Sequence, residues 1–109
     1  MFDLTRFDPA LFQENASRAA ALLRSLGNEK RLMILCQLAD GEMSVGNIQS
    51  AVGLSQSALS QHLALLREQG IVATRRESQV IYYRIADYAT MRVIETLAEL
   101  FCPPEMRKS

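Results

Sequence analysis

From Val45 to Leu66 this chain carries no Asp, Glu, Lys or Arg, although it has 12 basic and 12 acidic residues elsewhere. The uncharged stretch is interrupted by Gly53, and Ser44 and Ser55 each stand just before a run of helical apolar spacing. A serine at the cap and a glycine at the stop close both ends of a helix. The spacing therefore predicts two helices in tight succession, one from Ser44 to about Val52 and one from Gln56 to Gln69, the second closed by Gly70. A short helix, a tight turn and a longer helix form a helix-turn-helix, which lays its second helix in a DNA major groove. On that helix Leu59, Leu63 and Leu66 make an inward stripe, and Gln56, Ser57, Ser60 and Gln61 face away from it. Amides and hydroxyls both donate and accept, which suits base edges and phosphates. An ordinary solvated helix face is the plainer reading of the same residues.

After Gly70 the period changes. Ile71 to Arg76 and Val80 to Ile85 are β-rich runs around Glu77-Ser78-Gln79, which predicts a hairpin whose turn type is open because the loop lacks glycine. Arg75 and Arg76, followed by Gln79, Tyr82 and Arg84, make a basic tip with reach to a phosphate or the adjacent minor groove. Charge that protects an edge strand is the alternative. Upstream, Asp8-Pro9 starts a helix through Leu11, Phe12, Ala16, Ala19, Ala20 and Leu23 to Gly27, and Asn28 caps a second, Glu29 to about Ala39. Lys30 and Arg31 at its start either hold phosphates or stay solvated. Asp87 caps a last helix through about Phe101, and Pro103-Pro104 forbid much continuation. The expected fold is mainly α with a small β-hairpin wing, in the order α-α-α-α-β-β-α, as a single domain over residues 1–109.

So small a domain buries a limited fraction of its surface. The last helix nevertheless carries Met91, Ile94, Ala98 and Phe101 on one stripe and Val93, Leu97 and Leu100 on another. That is more apolar surface than one small domain covers, and the first helix adds Leu11, Phe12 and its alanines. A homodimer through the first and last helices is expected. No run approaches the roughly 18 apolar residues of a membrane span. The opening Met1 to Asp8 holds Asp3, Arg6 and Asp8, unlike a signal peptide, so a cytoplasmic protein is expected. The formal net charge is zero, so DNA binding has to rest on correct docking more than on bulk attraction.

Cys36 and Cys102 are too few for a disulfide framework and make no CxxC element. A reducing compartment keeps them as thiols. Cys36 lies on an apolar face, where a free cysteine also serves as a small hydrophobe. His62, the lone histidine, sits beside the inward stripe, where a scaffold role outweighs ligation. A closed metal site needs three or four soft or nitrogen donors, so neither metal nor cofactor is expected. Nothing supplies an oxyanion loop or a triad, so an enzyme is not expected.

Three segments carry a resemblance: Leu22-Leu23-Arg24-Ser25-Leu26-Gly27-Asn28-Glu29-Lys30-Arg31-Leu32, Leu54 to Leu63, and Val80-Ile81-Tyr82-Tyr83-Arg84. Over about Ala20 to Phe101 the chain resembles the ArsR/SmtB repressors. The resemblance implies a winged-helix dimer on inverted-repeat double-stranded DNA that releases its operator on sensing an inducer. The expected DNA-binding residues are Ser55, Gln56, Ser57, Ser60, Gln61, Arg75, Arg76 and Gln79. Where arsenic sensors of the family carry paired cysteines, this chain has Glu42 to Asn47; where zinc sensors carry histidines on the last helix, it has Asp87 alone. The Cys36 and Cys102 pair is similar to the dithiol subgroup typified by SqrR, BigR and HlyU. That likeness implies that reactive sulfur or an oxidant links the two thiols, by a disulfide or a polysulfide, and weakens DNA binding. Pro103-Pro104, directly after Cys102, either stiffen it or alter its reactivity. Two other readings stay open: a DNA-binding regulator with inert cysteines that competes with another DNA-bound protein, and a winged helix used only for protein contacts.

Overall fold

The computed structural model describes residues 8–102. Along them run α1 (Pro9–Leu26), α2 (Glu29–Leu38), β1 (Met43–Ser44), α3 (Val45–Val52), α4 (Gln56–Glu68), β2 (Val72–Glu77), β3 (Val80–Ile85) and α5 (Tyr88–Phe101). The expected helices and hairpin are all present. The addition is β1, a two-residue strand that turns the hairpin into a three-stranded antiparallel sheet of order β1-β3-β2. Two residues are too few to show strand alternation; β1 exists because Met43 and Ser44 lie opposite Tyr83 and Tyr82 of β3. Pro103-Pro104 lie outside the described residues.

The helix ends follow from side-chain chemistry. Asp8 accepts from the Ala10 and Leu11 N–H groups, at 2.9 and 3.1 Å, with proline at the first helical position. Asn28, Ser44, Ser55 and Asp87 accept in the same way from Arg31, Asn47, Ala58 and Thr90. Each cap is worth about 1 kcal/mol against alanine. Gly53 closes α3 at φ 68, in the left-handed region that favours glycine. At the end of α4, Gly70 (φ 73) donates to the Arg67 carbonyl and Ile71 to that of Leu66, both at 3.0 Å. This is a Schellman closure, and its usual apolar pair is here the buried Leu66 and Ile71.

The wing strands pair from Val72 opposite Ile85 to Glu77 opposite Val80, so β2 runs one residue later than expected and the turn is Ser78-Gln79. Ser78 has φ 58 and is the one non-glycine residue with positive φ among those described. A positive φ at the first turn position alone is the sign pattern of a type II′ hairpin.

The core gathers Ile34, Leu35 and Leu38 of α2, Ile48 and Val52 of α3, and Leu59, Leu63 and Leu66 of α4 around Ile94 of α5. α1 buries only Ser25 and Leu26 fully, near its end, with Leu22 packing partly against the core. Leu11, Phe12 and Leu23 of α1 and Leu100 and Phe101 of α5 are exposed, so both terminal helices present apolar surface to solvent. No helix among the described residues is long and apolar enough to cross a membrane.

Arg31 takes a role that its sequence position does not reveal. Its Nε donates to the Ser25 carbonyl at 2.8 Å and Nη2 to that of Arg24 at 3.4 Å. A cation thus closes the carbonyl end of α1, where the helix dipole is negative. Arg31→Ala should lower unfolding free energy by about 1–2 kcal/mol, and Lys30→Ala by much less. Urea melts of the two variants check the difference.

Candidate nucleic-acid interface

The site starts from the first turns of α4. Leu59, Leu63 and Leu66 anchor the helix from beneath, each 2% exposed or less. On its outer side Ser55, Gln56, Ser57, Ser60 and Gln61 are all exposed. Ser55 is committed as the cap, its Oγ accepting from Ala58 N–H at 3.2 Å, and it lies 3.4 Å from the Ser57 hydroxyl. Gln49 of α3 donates to the Leu54 carbonyl at 3.3 Å, tying the first helix to the turn. The result is a neutral donor and acceptor face at the positive end of a fixed helix, free of competing carboxylates. His62 lies half-buried beside this face. Desolvation first, and the Arg31 charge second, hold its imidazole below the usual pKa, so it is neutral at physiological pH.

The wing splits its arginines. Side chains alternate along a strand, and directly paired residues share a face. Val72, Thr74 and Arg76 therefore share one face with Ile85, Tyr83 and Ile81, while Ala73, Arg75 and Glu77 share the other with Arg84, Tyr82 and Val80. Val72, Tyr83 and Ile85 belong to or pack against the core. Arg76 thus lies on the side of α4, and Arg75 on the opposite side. Between α4 and β3 runs an open groove of about 600 Å³, lined by Ser60, Ala64, Arg67, Ile81 and Tyr83 among others. Arg67, on the exposed last turn of α4, escaped the sequence reading because it lies beyond the helix-turn-helix pattern.

Arg76 donates through Nε to the Ser78 carbonyl at 3.1 Å, and no carboxylate pairs with it among the described residues. Gln79 is exposed in the turn. Arg75, grouped with Arg76 from sequence, is differently placed. Glu42 and Glu77 bind its guanidinium, which lies 4.5 Å from the Tyr82 ring centroid. Hydrogen bonding from Arg75 holds the Glu42 carboxyl below its usual pKa, and those two glutamates raise that of Arg75.

The thiols sit on α2 and at the end of α5. Cys36 is half-buried on α2 against the core; Cys102 is exposed at the end of α5, its N–H donating to Ala98 at 2.8 Å. Burial raises the Cys36 thiol above its ordinary pKa, and the nearby Cys102 charge raises it further. Neither thiol is joined in a disulfide. No group of three or more His, Cys, Asp or Glu suited to a metal occurs among the described residues.

Comparison with known proteins finds relatives over most of the chain. Residues 28–74 match the arsR family of bacterial regulatory proteins. The transcriptional activator HlyU of Vibrio cholerae is 48% identical over 90 residues, 83% of each chain. A biofilm growth-associated repressor of Agrobacterium fabrum is 46% identical over 97 residues, 89% of this chain and 82% of its own. Reduced HlyU from Vibrio cholerae superposes with a TM-score of 0.81 at 47% identity, covering 84% of this chain and 96% of that one. A homodimeric winged helix-turn-helix DNA-binding domain from Mycobacterium bovis gives 0.73 at 30% identity, over 87% and 88% of the two chains.

Proposed function

Because this chain belongs to the ArsR family of bacterial regulatory proteins, we propose that it represses transcription as a homodimer on an inverted-repeat operator and is released when its two thiols are linked. The observation that carries the DNA-reading part is the exposed amide and hydroxyl face of α4 over a buried leucine stripe. Ser55, Gln56, Ser57, Ser60 and Gln61 read the major groove, and Arg76 and Gln79 reach phosphate or minor groove from the wing. A two-fold dimer sets its two α4 helices one DNA turn, about 34 Å, apart. The homodimeric relative and the apolar surfaces of α1 and α5 support that assembly.

The signal reading rests on Cys36 lying in α2 and Cys102 at the end of α5, two helices that pack together, and on the likeness to reduced HlyU. Exposed Cys102 meets the oxidant first. With an organic persulfide, its thiolate takes the outer sulfur and releases the thiol RSH. The Cys36 thiolate then attacks the Cys102 sulfur and expels hydrogen sulfide, leaving a disulfide; the persulfide sulfur is reduced and the two thiols are oxidised. A further sulfur atom in the bridge gives the polysulfide form and tolerates a wider gap than the roughly 4.4–6.8 Å between Cα atoms that a disulfide needs. Either bridge ties α5 to α2, against which the helix-turn-helix packs. A coupling of about 1–3 kcal/mol loosens operator binding roughly 5–150-fold.

Mass spectrometry after persulfide exposure, with operator titration of the same sample, tests this. Because Cys36 is held as the thiol, closure should quicken about tenfold per pH unit until pH passes its raised pKa. Cys102→Ser should abolish both bridge and release. The half-burial of Cys36 against the core favours a second reading, a regulator with inert thiols that competes with another DNA-bound protein. A Cys102→Ser protein that still responds to inducer in cells would favour it.

A further inference from the structure

The wing meets the helix-turn-helix at two places: α4 runs through the Gly70-Ile71 turn into β2, and β1 leads into α3. β1 is two residues long, and its ladder to β3 is the only strand pairing, among the described residues, between the hairpin and the segment leading into α3. Ser44 both ends that strand and caps α3, so whatever holds β1 against the hairpin also helps set the start of α3 against the wing. So short a ladder resists hinging weakly.

A side-chain clamp lies across this joint. Glu42 stands immediately before β1, and its carboxylate accepts from Arg75 of β2, on the far side of the central strand. Arg75 Nε lies 3.0 and 3.3 Å from the two carboxylate oxygens, and Nη2 donates to the first of them. Between the two ends the guanidinium lies over the Tyr82 ring of β3, and its Nη1 donates to Glu77 at 2.7 Å. One arginine therefore spans the sheet from β2 to β1, about 10 Å at normal strand spacing. The planar fork fixes direction as well as distance, which a point charge would not.

We propose that Glu42 and Arg75 are positioning residues: their pair sets the wing against α3 and α4, so operator affinity depends on two side chains that do not touch DNA. The inference rests on the DNA-reading function above. A different consequence of the same contacts is electrostatic masking, in which Glu42 and Glu77 withhold Arg75 from a phosphate. The two differ in sign. Glu77 separates them, because it sits on the same strand as Arg75 and has no hold on β1.

The test compares E42Q, E77Q, R75Q, R75K and E42Q/R75Q in titrations of labelled operator duplex at several salt concentrations. E42Q is expected to weaken binding about fivefold although it removes a negative charge, and R75Q by the same factor. The double variant loses no more than either single one, and R75K, which keeps the charge without the fork, is not rescued. E77Q binds at least as tightly as the parent. The slope of log affinity against log salt stays unchanged throughout. The proposal is overturned if E42Q binds as tightly as the parent or tighter, if the losses add, or if R75Q makes the slope shallower by about 0.9, the mark of a lost phosphate contact. The side chains are 44%, 33% and 65% exposed for Arg75, Glu42 and Glu77, so thermal melts should stay close to the parent. A parent protein that does not prefer promoter over random duplex would defeat the DNA-reading function itself, a result distinct from any of these.

Discussion

Replacing Gln56 and Gln61 together by alanine should lower operator affinity at least about a hundredfold and leave random-duplex affinity nearly unchanged. A well-placed amide on a base edge contributes about 1–3 kcal/mol of discrimination, and a dimer would lose both amides in each half-site. Neither glutamine carries charge, so the variant releases as many counterions as the parent and keeps its salt dependence. Both side chains are exposed, and alanine is the better helix former, so the fold loses nothing. Fluorescence anisotropy against operator and random duplexes separates these effects. An equal loss on both duplexes would mean that the glutamines only support the backbone contacts. No loss on either would remove α4 from the interface.

The second large effect is expected from surface leucines. Leu23 is 62% exposed and Leu100 68% exposed in the single subunit, so a glutamate at either position meets water and costs the subunit little. In a dimer built on α1 and α5 the same carboxylates would be buried unpaired, at several kcal/mol each. Leu23→Glu with Leu100→Glu should therefore yield folded single subunits. Operator affinity should fall by about 10²–10⁴, because one duplex would no longer be held at two linked half-sites. Sedimentation velocity and circular dichroism check assembly and folding separately. A variant that remains dimeric with normal helicity would place the interface elsewhere.

The candidate site was legible to unequal depths. Ser55, Gln56, Ser57, Ser60 and Gln61 were visible because a cap, a glycine stop and a leucine stripe at helical spacing fix which side of α4 faces out. The hairpin arginines were visible as charge but not as roles. Alternation already separates Arg75 from Arg76, yet the side turned toward α4 depends on where Val72, Tyr83 and Ile85 pack. Glu42 gave no signal, because its partner lies 33 residues away along the chain. Arg31 was ambiguous for the same reason: the carbonyls it closes belong to the preceding helix, and their direction depends on the turn at Gly27 and Asn28.

Short-range chemistry was enough for the helices, their ends, the hairpin and the neutral outer face of α4. Caps, glycine stops and periodic leucines act within a turn or two and need no distant partner. Long-range contact alone decided the rest: the existence of β1, the division of the wing arginines between two faces, and the clamp from Glu42 to Arg75. Each joins segments that the chain brings together only once the core has formed, and two residues of strand carry no periodicity from which such a meeting could be read.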